Sequence, residues 1–273
     1  MARASFVQKP YLSKPGPWLV AHRGGSLVAP ENTLVAFDRA VELGADAIET
    51  DVHLTRDGVV VVFHDDETRR LTGQPGTIEA RTLAEVEALD AAFGFTLDGG
   101  RTFPFRGLGV QAPTFLEVLA RYPSMRFNVD AKHEDPALAE ALVRVVRQAG
   151  AVERVCLGSF FDAQAERLGA LLPEVARYLP EQAATCHVMA AMSGQPAEGC
   201  PRDYQLASLP HRMGDLEVIT KPVVDHFHRL GMPVHVWTVD TEPDTRALLS
   251  LGVDGLVSDR PDVLARVLRA GLA

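Results

Sequence analysis

The sequence predicts an α/β protein, a (β/α)8 TIM-type barrel, on three observations. Short apolar, β-branched runs alternate with longer amphipathic stretches along the chain, a rhythm that calls for parallel strands joined by crossover helices. Roughly eight such units over about 250 residues match the size of a closed barrel. Polar residues also gather at the carboxyl ends of successive strands, the face on which barrels carry their active sites. A doubly wound open sheet shares the alternation but has no reason to stop near eight units.

Taken in order, residues 1–17 read as an extended N-terminal arm, and 18–21 (WLVA) as the first strand. A helix is expected over 34–43, then strands over 47–52 and 59–63. The rhythm breaks after this third strand. Residues 93–109 (FGFTLDGGRTFPFRGLG) are rich in Gly, Phe and turn formers, a short inserted excursion too small for a core of its own. A lid over the site, a plain surface excursion and a dimer contact compete as its role. Strands are expected over 126–130, 155–160, 175–179, 205–209, 234–239 and 255–258, with helices over 137–148, 163–172, 217–230, 242–251 and 262–270. The expectation is one barrel domain spanning 1–273.

Composition narrows the function classes. The chain is 47% hydrophobic and 23% charged, ordinary for a globular protein, and carries a net charge of −9 from 36 acidic and 27 basic residues. An acidic surface repels polyanions, which argues against nucleic acid or an anionic membrane as the main partner. Any phosphate ligand would then need positive charge supplied locally. The three cysteines, Cys156, Cys186 and Cys200, are widely spaced with no CxxC, and read as buried or idle thiols rather than a disulfide framework or zinc site. No apolar run reaches the roughly eighteen residues of a membrane span. A cytoplasmic protein, monomeric or homodimeric, is the expectation.

The chemistry-bearing residues follow the expected strands. His22 and Arg23 follow the first, Glu49 and Asp51 end the second, and His64 and Asp65 end the third. Asp130 and Lys132 follow the strand after the insertion, and Trp237 ends a later one. Glu49 and Asp51 are two apart on a strand and so face the same side. Two carboxylates so close call for a cation between them, and a hard divalent ion, Mg2+ or Ca2+, prefers such oxygen clusters. Asp130 would complete a three-carboxylate metal site. The competing reading, loop-end caps, sits badly with the apolar neighbours Ala47, Ile48 and Val52. His22 and His64 are candidates for a general acid and base. Arg23 offers a planar fork for phosphate oxygens, and Lys132 a point charge beside it. Trp237 is assigned to the substrate as an apolar wall for its alcohol or glycerol group, with simple barrel-core packing as the competing reading. The substrate expected is a small phosphodiester.

From Ala21 to Gly73 the chain reads AHRGGSLVAPENTLVAFDRAVELGADAIETDVHLTRDGVVVVFHDDETRRLTG. This block resembles the amino-terminal signature of the glycerophosphodiester phosphodiesterase family: HRG, PENT, ExD, then an HD pair. NVDAK at 128–132, GSF at 158–160, VWTVD at 236–240 and GVDGLVSDRPD at 252–262 extend the likeness over nearly the whole chain. The resemblance implies a (β/α) barrel and metal-dependent cleavage of glycerophosphodiesters to sn-glycerol 3-phosphate and an alcohol. It implies His22 and His64 as the acid–base pair, Arg23 and Lys132 at the phosphate, and Glu49, Asp51 and Asp130 as metal ligands. The family most often has Glu where this chain has Asp130.

Other residues carry weaker signals. His53 shares the face of Asp51, where a substrate contact and a hydrogen bond behind the site compete. Glu31 and Asn32 read as a helix start, with Asn32 or Thr33 as cap and a structural role. His133, His187, His211, His226, His228 and His235 show no partner pattern and are expected to be non-catalytic. Two rival functions remain. One is a phospholipase D-like hydrolysis of lysophospholipids on the same barrel. The other is a non-catalytic phosphate-ligand binding protein, which every filled catalytic position argues against.

Overall fold

Strands with branched, apolar side chains and helices with capped ends account for the architecture of a computed structural model that describes residues 9–271. The elements run β1 (Trp18–His22), α1 (Leu34–Leu43), β2 (Ala47–Leu54), β3 (Val60–Val62), α2 (Arg69–Thr72), α3 (Leu83–Glu87) and α4 (Phe115–Arg121). They continue with β4 (Arg126–Ala131), α5 (Pro136–Gln148), β5 (Val155–Gly158), α6 (Asp162–Leu171), β6 (Ala176–Arg177), α7 (Glu181–Ser193) and β7 (Ala207–Pro210). Last come β8 (Arg212–Met213), β9 (Leu216–Glu217), α8 (Lys221–Arg229), β10 (Val234–Trp237), α9 (Glu242–Leu251), β11 (Gly255–Ser258) and α10 (Pro261–Ala270).

Parallel strands run in the order β6-β5-β4-β2-β1-β11-β10-β7, and a parallel bridge between Tyr178 and Leu206 joins the two ends. The sheet therefore closes on itself as a TIM-type barrel. Inside it, Trp18, Val20, Ala47, Cys156, Ala176, Leu206 and Val257 form one apolar cluster with Tyr11 and Leu12. Two larger clusters lie between the strands and the surrounding helices. Helix starts are marked chemically. Thr33 accepts from the Ala36 amide, Asp135 precedes Pro136 and accepts from Ala137, and Thr241 accepts from Asp244, each satisfying an amide that the helix leaves open.

Four expectations need correction. The run 59–63 is a strand, but β3 pairs antiparallel with the end of β2 and stands outside the barrel circuit. Its alternation with β2 is that of a hairpin, joined by the Asp57–Gly58 turn rather than a helix. The start of the helix expected over 217–230 is instead β9, which forms a two-stranded ribbon with β8. The arm is not extended throughout where it is described: Pro10–Leu12 form a 3-10 turn, and the fully buried Tyr11 packs against Trp18 with ring centroids 5.5 Å apart. The rest of the arm, residues 1–8, lies outside the described residues. Finally, Cys186 and Cys200 form a disulfide across a Cα separation of 5.7 Å. Helix α7 and the loop after it bring the two together, an approach that sequence spacing does not reveal. Cys156 is free and buried, as expected.

The segment 93–109 folds on itself. The Arg106 guanidinium lies 4.0 Å from the Phe93 ring centroid and 3.6 Å from that of Phe103. It contributes none of the side chains lining the central cavity, so of its three candidate roles the lid is not the one seen.

Candidate active site

Strand register builds the site. β1, β2 and β4 lie side by side, with His22 level with Glu49, Glu49 with Asn128, and Asp51 with Asp130. Alternation then turns Glu49, Asp51, Asn128 and Asp130 to one side, giving two layers of polar side chains at the carboxyl end of the barrel. They line a cavity of about 420 Å3 together with His22, Arg23, His64, Lys132, Phe160, Tyr178 and Trp237. The eight residues given a catalytic, metal or substrate role from the sequence therefore all face one cavity, including His64, which arrives from beyond β3, while Asp65 lies outside its lining. A second cavity, of about 520 Å3, opens at the opposite end of the barrel around Lys14, His228 and Asp254 and holds none of them.

Each candidate acid–base histidine is held by an aspartate. Nδ1 of His22 lies 2.7 Å from Oδ1 of Asp259, and Nδ1 of His64 lies 2.7 Å from Oδ1 of Asp65. A carboxylate on Nδ1 holds the proton there and leaves Nε2 as the reactive nitrogen. Nε2 of His22 is 3.7 Å from Oε2 of Glu49. Burial opposes charge on His22, but the Asp259 hydrogen bond and the nearby Glu49 outweigh it and raise its pKa. Asp259 also accepts from the Ser26 hydroxyl at 2.6 Å. Asp65 is bonded twice by Arg70, at 2.6 and 2.8 Å, and Arg70 reaches on to both oxygens of Glu31.

After β1 the chain turns sharply through Arg23, at φ 53°, and Gly24, at φ 83°. A Cβ at Gly24 would stand 2.7 Å from that of Ala36, so only glycine allows α1 to pack this close. The turn aims the Arg23 side chain at Glu31 (3.0 Å) and Asp51 (3.4 Å) and its amide at Glu49 (3.3 Å).

The carboxylates are unevenly charged. Burial, followed by the adjacent Asp51, pushes Glu49 up to about 7. Asp51 is as deeply placed, but Lys132, His64 and Arg23 overcome burial and hold it at about 2. The Lys132 ammonium sits between Asp51 Oδ1 (2.8 Å) and Asp130 Oδ2 (2.9 Å), and Tyr178 donates to the other Asp130 oxygen at 2.7 Å. Glu49, Asp51 and Asp130 do not bring three ligand atoms within 4.8 Å of one another, and the Lys132 ammonium occupies the space between two of them. The set still fits a hard cation on two grounds. Its donors are all oxygens, and the buried Oδ1 of Asn128 has no hydrogen-bond partner among the described residues. Lys132 marks the place where positive charge is already drawn in.

Sequence reasoning missed several partners. Asp259 lies 237 residues from His22 and is visible only as part of the GVDGLVSDRPD block. Asn32, read as a helix start, instead donates to Asp51 at 2.9 Å and accepts from Thr50 at 2.7 Å, while Thr33 does the capping. Its φ of 56° is a clue no pattern shows. Glu31 is likewise a site residue, bound to Arg23 and Arg70. His53 is buried behind His64, not in the cavity lining. His211 also lies outside that lining.

Residues 22–263 match the glycerophosphoryl diester phosphodiesterase family. A probable glycerophosphodiester phosphodiesterase 2 of Mycobacterium tuberculosis is 34% identical over 95% of this chain and 94% of its own length. A glycerophosphodiester phosphodiesterase of Caldanaerobacter subterraneus is 31% identical over 93% of this chain and 98% of its own. Among solved structures, an Oleispira antarctica phosphodiesterase in complex with the product sn-glycerol-3-phosphate superimposes with a TM-score of 0.73 at 26% identity, covering 93% of this chain and 97% of that one.

Proposed function

The chain belongs to the glycerophosphoryl diester phosphodiesterase family, and from that premise we propose which residues carry its reaction, the metal-dependent hydrolysis of glycerophosphodiesters to sn-glycerol 3-phosphate and an alcohol. The observation that carries the assignment is the pair of aspartate-held histidines, His22 with Asp259 and His64 with Asp65, opening on one cavity around a buried carboxylate block. One imidazole Nε2 takes the proton from the attacking hydroxyl, whether of water or of the glycerol 2-position. The other gives a proton to the departing alcohol oxygen. Arg23 binds nonbridging phosphate oxygens through its planar fork, with Lys132 beside it, and Trp237 walls the organic group. Tyr178 and Asn32 hold Asp130 and Asp51 in place.

Glu49, Asp51 and Asp130 would hold one divalent ion, Mg2+ or Ca2+, with Asn128 as an added oxygen donor. Bound there, it would supply positive charge against that developing on the phosphoryl oxygens. The chain works as one domain over 1–273, with 93–109 as a surface insertion, on a small-molecule substrate, as a monomer or homodimer. None of its described helices is long and apolar enough to cross a membrane. A cytoplasmic location remains part of this reading, with the Cys186–Cys200 bond as the observation against it, since reducing compartments disfavour disulfides.

A metal-supplemented assay of glycerol 3-phosphate release tests the proposal. His22→Ala and His64→Ala should each lower kcat by on the order of 10²–10⁴-fold with little change in KM, and EDTA should abolish activity that Mg2+ or Ca2+ restores. Near-normal kcat in both variants would remove the histidine assignment.

One observation favours a second substrate class. Phe160 and Met213 line the cavity yet are 48% and 61% exposed, an apolar rim suited to the acyl chain of a lysophospholipid. Turnover of lysophosphatidylcholine is the measurement, and truncating Met213 should reduce it more than turnover of glycerophosphocholine.

A further inference from the structure

Beside the carboxylate block, three more ligand atoms converge. Nδ1 of His53 lies 2.7 Å from Oε1 of Glu79, Nε2 of His133 lies 2.6 Å from the same oxygen, and the two nitrogens are 2.9 Å apart. The residues come from β2, from the segment between β3 and α3, and from the turn after β4. His53 is wholly buried, while the Glu79 and His133 side chains are 36% and 31% exposed. The group is thus closed beneath and open to solvent on one side.

Protons alone satisfy this triangle poorly. The other ring nitrogen of His53, Nε2, faces the carbonyl oxygen of His64 at 3.3 Å and carries the proton that donates to it. In the neutral ring Nδ1 is then a bare lone pair, aimed at a carboxylate oxygen and at a second imidazole nitrogen. If both rings are charged instead, two N–H groups crowd together on one oxygen. A cation in front of the triangle answers all three atoms at once. An imidazole whose second nitrogen donates to a backbone carbonyl is also the usual form of a metal-bound histidine.

We propose that His53, Glu79 and His133 form a second metal site, separate from the carboxylate block, that takes Zn2+. Two imidazoles and one carboxylate with an open fourth position suit zinc, whereas Mg2+ and Ca2+ prefer oxygen alone. Tetrahedral zinc, with bonds near 2.0–2.1 Å, separates its ligands by about 3.3 Å, so the three atoms need spread only a few tenths of an ångström. The ion ties the segment carrying Glu79 to the barrel rim and braces the backbone of His64. The neighbouring trio Glu31, His64 and Asp65 also brings its ligand atoms within 4.8 Å, but the Arg70 guanidinium already bonds both of its carboxylates.

Zinc titration of the metal-stripped full chain against a chromogenic chelator tests the site. The variants are the rim double substitution Glu79→Gln with His133→Asn, and, separately, Glu49→Gln in the carboxylate block. Wild type and Glu49→Gln should each retain one tightly bound zinc after dialysis, and the double variant should bind it at least about tenfold more weakly. With Mg2+ in excess to occupy the carboxylate block, zinc should raise the Tm of wild type and leave that of the double variant unmoved, their Tm values before zinc being alike. Anomalous scattering at the zinc edge from wild-type crystals gives a readout independent of how the variants fold, with the ion expected among His53, Glu79 and His133. Zinc found only at Glu49 and Asp51, or an equal affinity in the double variant, overturns the proposal.

Discussion

Two aspartates decide the chemistry of two histidines at the residue scale. Asp259 accepts from Nδ1 of His22, and its amide counterpart can instead donate there, favouring the wrong tautomer. Asp259→Asn should therefore lower kcat by on the order of 10²–10⁴-fold, leave KM near the wild-type value, and reshape the pH–rate profile. A simple packing defect would not change the profile. His235 illustrates a different residue-scale effect. Full burial lowers its pKa to about 4, and its Nδ1 has no hydrogen-bond partner among the described residues. The folded chain thus keeps this ring neutral where the unfolded chain takes up a proton. Its contribution is complete above pH 6.5, the ordinary histidine value, falls as pH drops from there to about 4, and is constant below. The loss is on the order of 3 kcal/mol. Denaturant titrations of His235→Gln should show a flatter pH dependence than wild type across that window. An unchanged slope would mean that other groups set it.

At the scale of elements, the start of α1 ties stability to the site. Thr33 caps the helix at Ala36 and donates to the Pro30 carbonyl at 2.6 Å, and the two residues before it, Glu31 and Asn32, hold Arg23 and Asp51. Thr33→Ala should cost about 1 kcal/mol, read from the denaturation midpoint. It should also raise KM, because the turn that aims Arg23 loses its anchor. A stability loss with unaltered kinetics would separate the two roles. The strands show a related economy. β5 and β10 end at Gly158 and Trp237, short of the stretches expected from their apolar runs. At the barrel rim the chain must leave the sheet to present Phe160 and Thr238 to the cavity.

On the scale of the whole molecule, the barrel closes between β6 and β7, where a two-residue strand, one bridge and backbone hydrogen bonds from Gln205 and Leu206 to Arg177 join the ends. The Cys186–Cys200 bond lies between those two strands and closes a loop with a separation of 14 residues. A loop of that length is worth up to about 3 kcal/mol in chain entropy. Cys186→Ala with Cys200→Ala should lower stability by no more than this, and a reductant should reproduce the loss in wild type while leaving the double variant unmoved. Equal midpoints for all three would show that the closure does not depend on the bond.

Much of this molecule is legible in its sequence. Alternation of apolar period declares the barrel, since strands buried on both faces need branched apolar runs and crossover helices need an apolar stripe. The position of His22, Asp130 and Lys132 at strand ends, beside the Glu49 and Asp51 pair on β2, declares the cavity, because all barrel strands end on one face. What the chain alone does not disclose are contacts between residues far apart in it. The Asp259 partner of His22, the Asn32 bond to Asp51, the disulfide and the His53–Glu79–His133 triangle all join segments that local patterns leave unrelated. Hydrophobic periodicity specifies which side of an element faces inward. Only the closed sheet, through its register and the turns at its rim, decides which of those inward side chains meet.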